Sequence, residues 1–150
     1  MASKLSYPTL GRHLLDAMPE LEERYDFLIR EWEGETPGPH VIFGDALNPL
    51  LLDLLGSNEA VAIHEMLLRR VFGFLELLAR HPDPRVQQVV STTVCERLGD
   101  DPRVLARARP FMGERTRELS REIEEFWSNG KQALTPNRPE PVTAFRQGDR

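Results

Sequence analysis

The stretch HPDPRVQQVV, residues 81–90, holds the tetrapeptide DPRV, and DPRV returns at residues 101–104 at the head of DPRVLARA. Each copy has the chemistry of a helix start: an Asp whose carboxylate can accept from free backbone N–H groups, a Pro suited to the first helical position, then a Val that opens an apolar stripe. In the first copy Val86, Val89, Val90, Val94 and Leu98 recur at helical spacing up to Gly99. In the second, Val104, Leu105, Ala108 and Phe111 run to Gly113. The eighteen-residue period contains one helix and a turn, and no third copy follows. The pattern predicts an irregular stack of helical hairpins rather than a regular solenoid.

Proline and glycine divide the rest of the chain in the same way. Pro8 opens a short helix to about Ala17, and Pro19 opens a second to about Glu33. The second places Leu21, Tyr25, Leu28, Ile29 and Trp32 on one face and acids on the other, and Gly34 ends it. Beyond the loop-like ETPGP, residues 41–55 predict a third helix, restarted at Asn48-Pro49, although Val41-Ile42-Phe43 also fit a short extended piece. Asn58 is placed to cap the longest helix, Glu59 to Arg80, whose apolar residues cover most of its circumference and predict a central, buried position. A last helix from Glu114 to Ser128 carries Leu119, Ile123, Phe126 and Trp127 on one face, sets Arg121 to pair with Glu118 and Glu125, and is capped by Asn129-Gly130. The expectation is an all-α fold of about seven helices in hairpins, HEAT-like, in one domain over residues 1–130, with residues 131–150 an extended or disordered tail.

A chain of 150 residues with 40% hydrophobic content is long enough for one domain with a sizeable core. The lone Cys95 excludes an internal disulfide, the N-terminal MASKLSYPTL lacks the apolar run of a secretion signal, and a cytoplasmic location is expected. The richest apolar segment, Ala60 to Ala79, is interrupted by charges, and no membrane span is expected. The net charge of -5 hides an asymmetry: residues 16–65 carry twelve acids and two bases, residues 69–121 eleven Arg and seven acids. A field of that sign repels nucleic acid phosphate and draws basic partners in.

Catalytic chemistry is not legible. His64-Glu65 begins like a zinc-binding HExxH helix, but Leu68 stands where the second ligand belongs. His13, His40 and His81 follow no ligand spacing, and Cys95 among Val94, Glu96 and Leu98 reads as a small buried thiol. Glu76 and Glu96 are expected roughly 10 Å apart along antiparallel helices, too far for joint acid–base work. Glu76 instead shares a stripe with Glu65, Arg69 and Arg80 that forms ion pairs one turn apart. No phosphate cradle, nucleophile elbow or RNA-binding aromatic motif occurs. No enzyme activity, cofactor or metal is expected.

Four pieces in order, Met18-Pro19-Glu20-Leu21, His40-Val41-Ile42-Phe43-Gly44-Asp45, Phe72-Gly73-Phe74-Leu75-Glu76 and Val94-Cys95-Glu96-Arg97-Leu98, resemble a bacterial family of small all-helical proteins of unassigned activity, itself similar to immunity proteins of polymorphic toxin systems. The resemblance spans roughly residues 7–127. It implies a protein that binds a toxin domain and blocks its active site or substrate groove. An acidic surface suits a basic toxin domain as protein partner. The residues expected at that interface are Glu31, Trp32, Glu33, Glu35, His40, Phe43 and Asp45, with core packing the competing role for Trp32 and for the apolar residues of the 36–45 segment. The alternative is a HEAT-like adaptor or regulatory scaffold that takes a protein or peptide in a groove between helices.

Overall fold

Proline and aspartate set the helix boundaries. A computed structural model of the chain describes residues 4–57 and 62–134, with side chains described as far as Asn129. Among these the chain forms seven helices and no strand: α1 (Leu10–Ala17), α2 (Glu22–Glu31), α3 (39–56), α4 (Ala62–Ala79), α5 (84–98), α6 (Pro102–Ala108) and α7 (Glu114–Leu134). Tight single turns lead into α1 at Tyr7–Thr9 and into α2 at Pro19–Leu21, each with its Pro in the first turn. Both DPRV segments start helices as their chemistry dictates. The Asp83 carboxylate accepts from the Arg85 N–H at 2.9 Å and Asp101 from the Arg103 N–H at 3.0 Å, with Pro84 and Pro102 next in line.

α3 begins at Pro39 and runs unbroken through Val41-Ile42-Phe43, so these residues are helical, not extended. It widens over Phe43–Leu47, where the Asn48 N–H reaches back five residues to the Phe43 carbonyl. Pro49 explains the widening: it offers no N–H, and its ring crowds the carbonyl four residues earlier, at Asp45. α5 widens too, over Val89–Cys95, with the Glu96 N–H on the Ser91 carbonyl. The Thr92 hydroxyl donates to the Gln88 carbonyl at 2.8 Å, a back-bond that loosens the regular ladder. The two widened stretches face each other. Asn48 Nδ2 donates to the Thr93 carbonyl at 3.1 Å, and His40 Nδ1 shares a 2.6 Å hydrogen bond with Thr93 Oγ1.

One contiguous core joins all seven helices, from Leu10 and Leu14 through Phe43, Leu51, Phe72, Leu75 and Val94 to Leu119. Within it α5 meets α3, α4, α6 and α7. α4 meets α1, α3, α5 and α7, but its apolar circumference is not buried all round: it buries Leu68, Val71, Phe72, Leu75 and Leu78 on one stripe and leaves Ile63, Met66 and Leu77 exposed. The predicted cap Asn58 and the helix start at Glu59 lie outside the described residues, as do residues 135–150 of the predicted tail. α7 is longer than its caps predict. It passes through Asn129-Gly130 to Leu134, because Lys131, Gln132, Ala133 and Leu134 are good helix formers and one Gly costs only about 1 kcal/mol. Its Phe126 and Trp127 are exposed, and its Glu118 pairs with Arg115, not Arg121.

Glu76 ties α4 to α7. Its carboxylate accepts from the backbone N–H groups of Arg115 and Thr116 at 3.1 and 2.9 Å and from the Thr116 hydroxyl at 2.8 Å, and it pairs with Arg80 at 2.6 Å. It thereby satisfies free donors at the start of α7 from another helix. Burial works to raise the Glu76 pKa, but the bonds from Thr116, Arg115 and Arg80 prevail and hold it below its ordinary value. Gly113 makes room, since a Cβ there would collide with the Glu76 carboxylate.

Candidate protein-binding surface

α2 is anchored at its beginning and bare at its end. Glu20, just ahead of it, receives Arg70 Nη1 of α4 on both carboxylate oxygens at 2.7 and 2.8 Å. The hydrogen bond from Arg70 pulls the Glu20 pKa down. Arg24 approaches Asp53 of α3 at 4.0 Å. Leu21 and Leu28 are buried and Tyr25 and Ile29 half-buried, so the predicted apolar face is the inner one.

Trp32 belongs to that stripe by spacing, yet it sits past the last turn and remains 44% exposed. The chain then reverses. The Glu33 N–H bonds the Arg30 carbonyl at 3.0 Å and the Gly34 N–H the Ile29 carbonyl at 2.9 Å, closing the helix with the paired bonds that satisfy its last carbonyls. Glu33 and Gly34 both take positive φ, 54° and 86°. Gly34 accepts this freely; Glu33 is strained by about 1 kcal/mol or more. The sequence points to Gly34 as the terminator, but the first left-handed residue is Glu33.

This fixed turn presents Glu31, Trp32, Glu33 and Glu35 together at the surface. Phe27, one turn back from Glu31, is 56% exposed, with the Arg30 guanidinium 5.9 Å above its ring. Phe27 escapes a reading built on the apolar stripe because it lies off that stripe. An aromatic among Glu23, Asp26 and Glu31 was the available signal. The remaining expected interface residues separate from these. Phe43 is fully buried and stacks on Phe74 at 6.4 Å between ring centroids, so it is a core residue and not part of the exposed surface. His40 is half-buried and engaged with Thr93. Asp45 is exposed on the widened stretch of α3.

The electrostatics of the two halves differ in pairing as well as in count. Asp16, Glu22, Glu23, Asp26, Glu31, Glu33, Glu35 and Asp45 are exposed, and among the described residues none has a cation within ion-pair distance. In the arginine-rich half Arg69, Arg70, Arg80, Arg85, Arg97, Arg103, Arg109 and Arg115 all lie in ion pairs. Among the described residues these eight carboxylates thus stand outside ion pairs, whereas at least eight of the eleven arginines of residues 69–121 stand inside them.

The other chemistry-bearing residues have structural settings. Glu65 pairs with Arg69 at 2.8 Å. Cys95 is buried, and burial, with the nearby Glu124 charge adding, pushes its thiol up to about 12. Among the described residues no three of His, Cys, Asp and Glu gather as metal ligands, and no helix is long and apolar enough to cross a membrane.

The structure is that of a small all-α protein whose α2 end exposes Phe27 and Trp32 beside Glu31, Glu33 and Glu35. Residues 12–128 match the DUF7674 family, described as a domain of unknown function, and the chain belongs to that family. No curated protein and no solved structure matches the chain.

Proposed function

We propose that the chain is a binding protein of the immunity type, which docks a basic toxin domain on the α2 end and blocks it by occlusion. The observation that carries this reading is the set of unpaired carboxylates around two exposed aromatics. Carboxylates already held in ion pairs contribute little field beyond their neighbours, whereas bare ones steer a basic surface and speed its capture. Phe27 and Trp32 supply the apolar anchors that charge alone lacks, and Trp ranks among the residue types richest in binding energy. The strained Glu33 fits the same role, because a backbone outlier held at a surface marks a position shaped for contact. His40 and Phe43 support the surface from inside and do not contact the partner.

The test is a search of the neighbouring genes for a toxin domain, followed by coexpression of that domain with this protein. The unaltered chain rescues growth, and E31Q/E33Q/E35Q, folded by circular dichroism, loses the rescue. Rescue at full strength by the neutralised protein contradicts the interface.

A further inference from the structure

A second surface is built from residues that the α2 end does not contain. The turn between α5 and α6 and the last turns of the α7 body enclose an open cleft of about 680 Å³, lined on one side by Glu96, Gly99 and Pro102 and on the other by Ile123, Glu124 and Trp127. The size is in the range that takes a small ligand or a few residues of peptide. Asp101 caps α6 and Pro102 opens it, so the chain turns between α5 and α6 at the edge of the cleft. Leu105 and Ile123 make an apolar lining, and Trp127, 48% exposed, stands beside them with its edge packed against Phe126.

Three carboxylates, Glu96, Asp100 and Glu124, line the cleft against one guanidinium, Arg109. Arg109 is occupied by Glu124 at 2.8 Å, and Asp100 by Arg97 at 3.2 Å. Glu96 is half-buried and, among the described residues, has neither an ion pair nor a side-chain hydrogen bond. An anionic ligand meets repulsion here. A cation finds one uncommitted carboxylate and one indole ring, and the apolar lining accepts an aliphatic stem and its neighbour.

We propose that this cleft binds a peptide segment of a partner protein that presents an arginine beside an apolar residue. The guanidinium pairs with Glu96 and lies against Trp127, and the adjacent apolar side chain rests on Leu105 and Ile123. Arginine fits better than lysine because its planar, weakly hydrated head combines a bidentate carboxylate bond with stacking on an aromatic ring. This is the groove that an adaptor needs, and it stands independently of the acidic α2 end.

Two single-tryptophan proteins separate the surfaces: W32F reports from Trp127, and W127F from Trp32. Each full-length variant is titrated with the peptide acetyl-Gly-Leu-Arg-Leu-Gly-amide and with its citrulline analogue, which keeps the shape and loses the charge. The expected result is a saturable emission change in W32F alone, with the citrulline peptide and the W32F/E96Q protein each binding about 10-fold more weakly, the size of one charge-assisted bond. No saturable change up to millimolar peptide overturns the proposal. So does equal binding of the citrulline analogue, or a response from W127F alone, which puts the peptide on the α2 end.

Discussion

The end of α2 holds Glu31, Glu33 and Glu35 outside any ion pair among the described residues, whereas most arginines of the helices that follow are closed into pairs. Arg69, Arg80, Arg97 and Arg115 each find a carboxylate within four residues on their own segment. Glu31, Glu33 and Glu35 have no such pair among the described residues, and Arg30, the nearest cation in sequence, lies over Phe27. Total charge therefore says less about function than whether the charges are already spoken for. Exposed pairs contribute about 0–1 kcal/mol each to stability; bare carboxylates of one sign contribute field.

The contrast is sharpest between two aromatics that spacing alone treats alike. F43A empties a fully buried site and is expected to cost about 3–5 kcal/mol in denaturant unfolding. W32A is expected to change stability by under about 1 kcal/mol and to weaken partner binding by about 2 kcal/mol or more, measured by titration calorimetry. Reversed results move the interface from the α2 end to the widened stretch of α3.

Glu76 is the strongest case of a committed carboxylate. E76A leaves the donors of Arg115 and Thr116 without their acceptor and is expected to cost about 2–3 kcal/mol. The folded pKa of Glu76 lies below its ordinary value near 4.5. Its contribution is therefore fully present above that value and is lost as pH falls through the folded pKa. Stability measured between neutral pH and pH 3 should fall less on the acid side for E76Q than for the unaltered chain; equal slopes remove Glu76 from the account of the α4–α7 joint.

Glu33 gives the smallest effect and a telling sign. E33G relieves the left-handed strain and should raise stability by about 1 kcal/mol while weakening partner association. A gain in stability with undiminished association leaves the strain without a role in binding.

Much of this organisation is legible in residue order. The DPRV pairs declare two helix starts, and prolines mark α1, α2 and α3, because capping and the missing proline N–H act locally. Burial is not local: α4 is apolar around most of its circumference, and only packing decides that Leu75 faces in while Leu77 faces out. The widening of α3 follows from Pro49, but that of α5 has no proline to announce it. At the binding surface the acids are plain from composition, and the separation of Trp32 from Phe43 is not. It depends on Trp32 falling just past the end of a helix and Phe43 inside one.

The most direct measurement is the association rate of this protein with the basic toxin domain proposed as its partner as salt is raised, compared with E31Q/E33Q/E35Q. Steering by bare carboxylates predicts a fast rate at low salt that drops steeply as the screening length shrinks, and a slower, flatter dependence once the three charges are gone. Superimposable curves for the two proteins would contradict a role for the α2 end in capture.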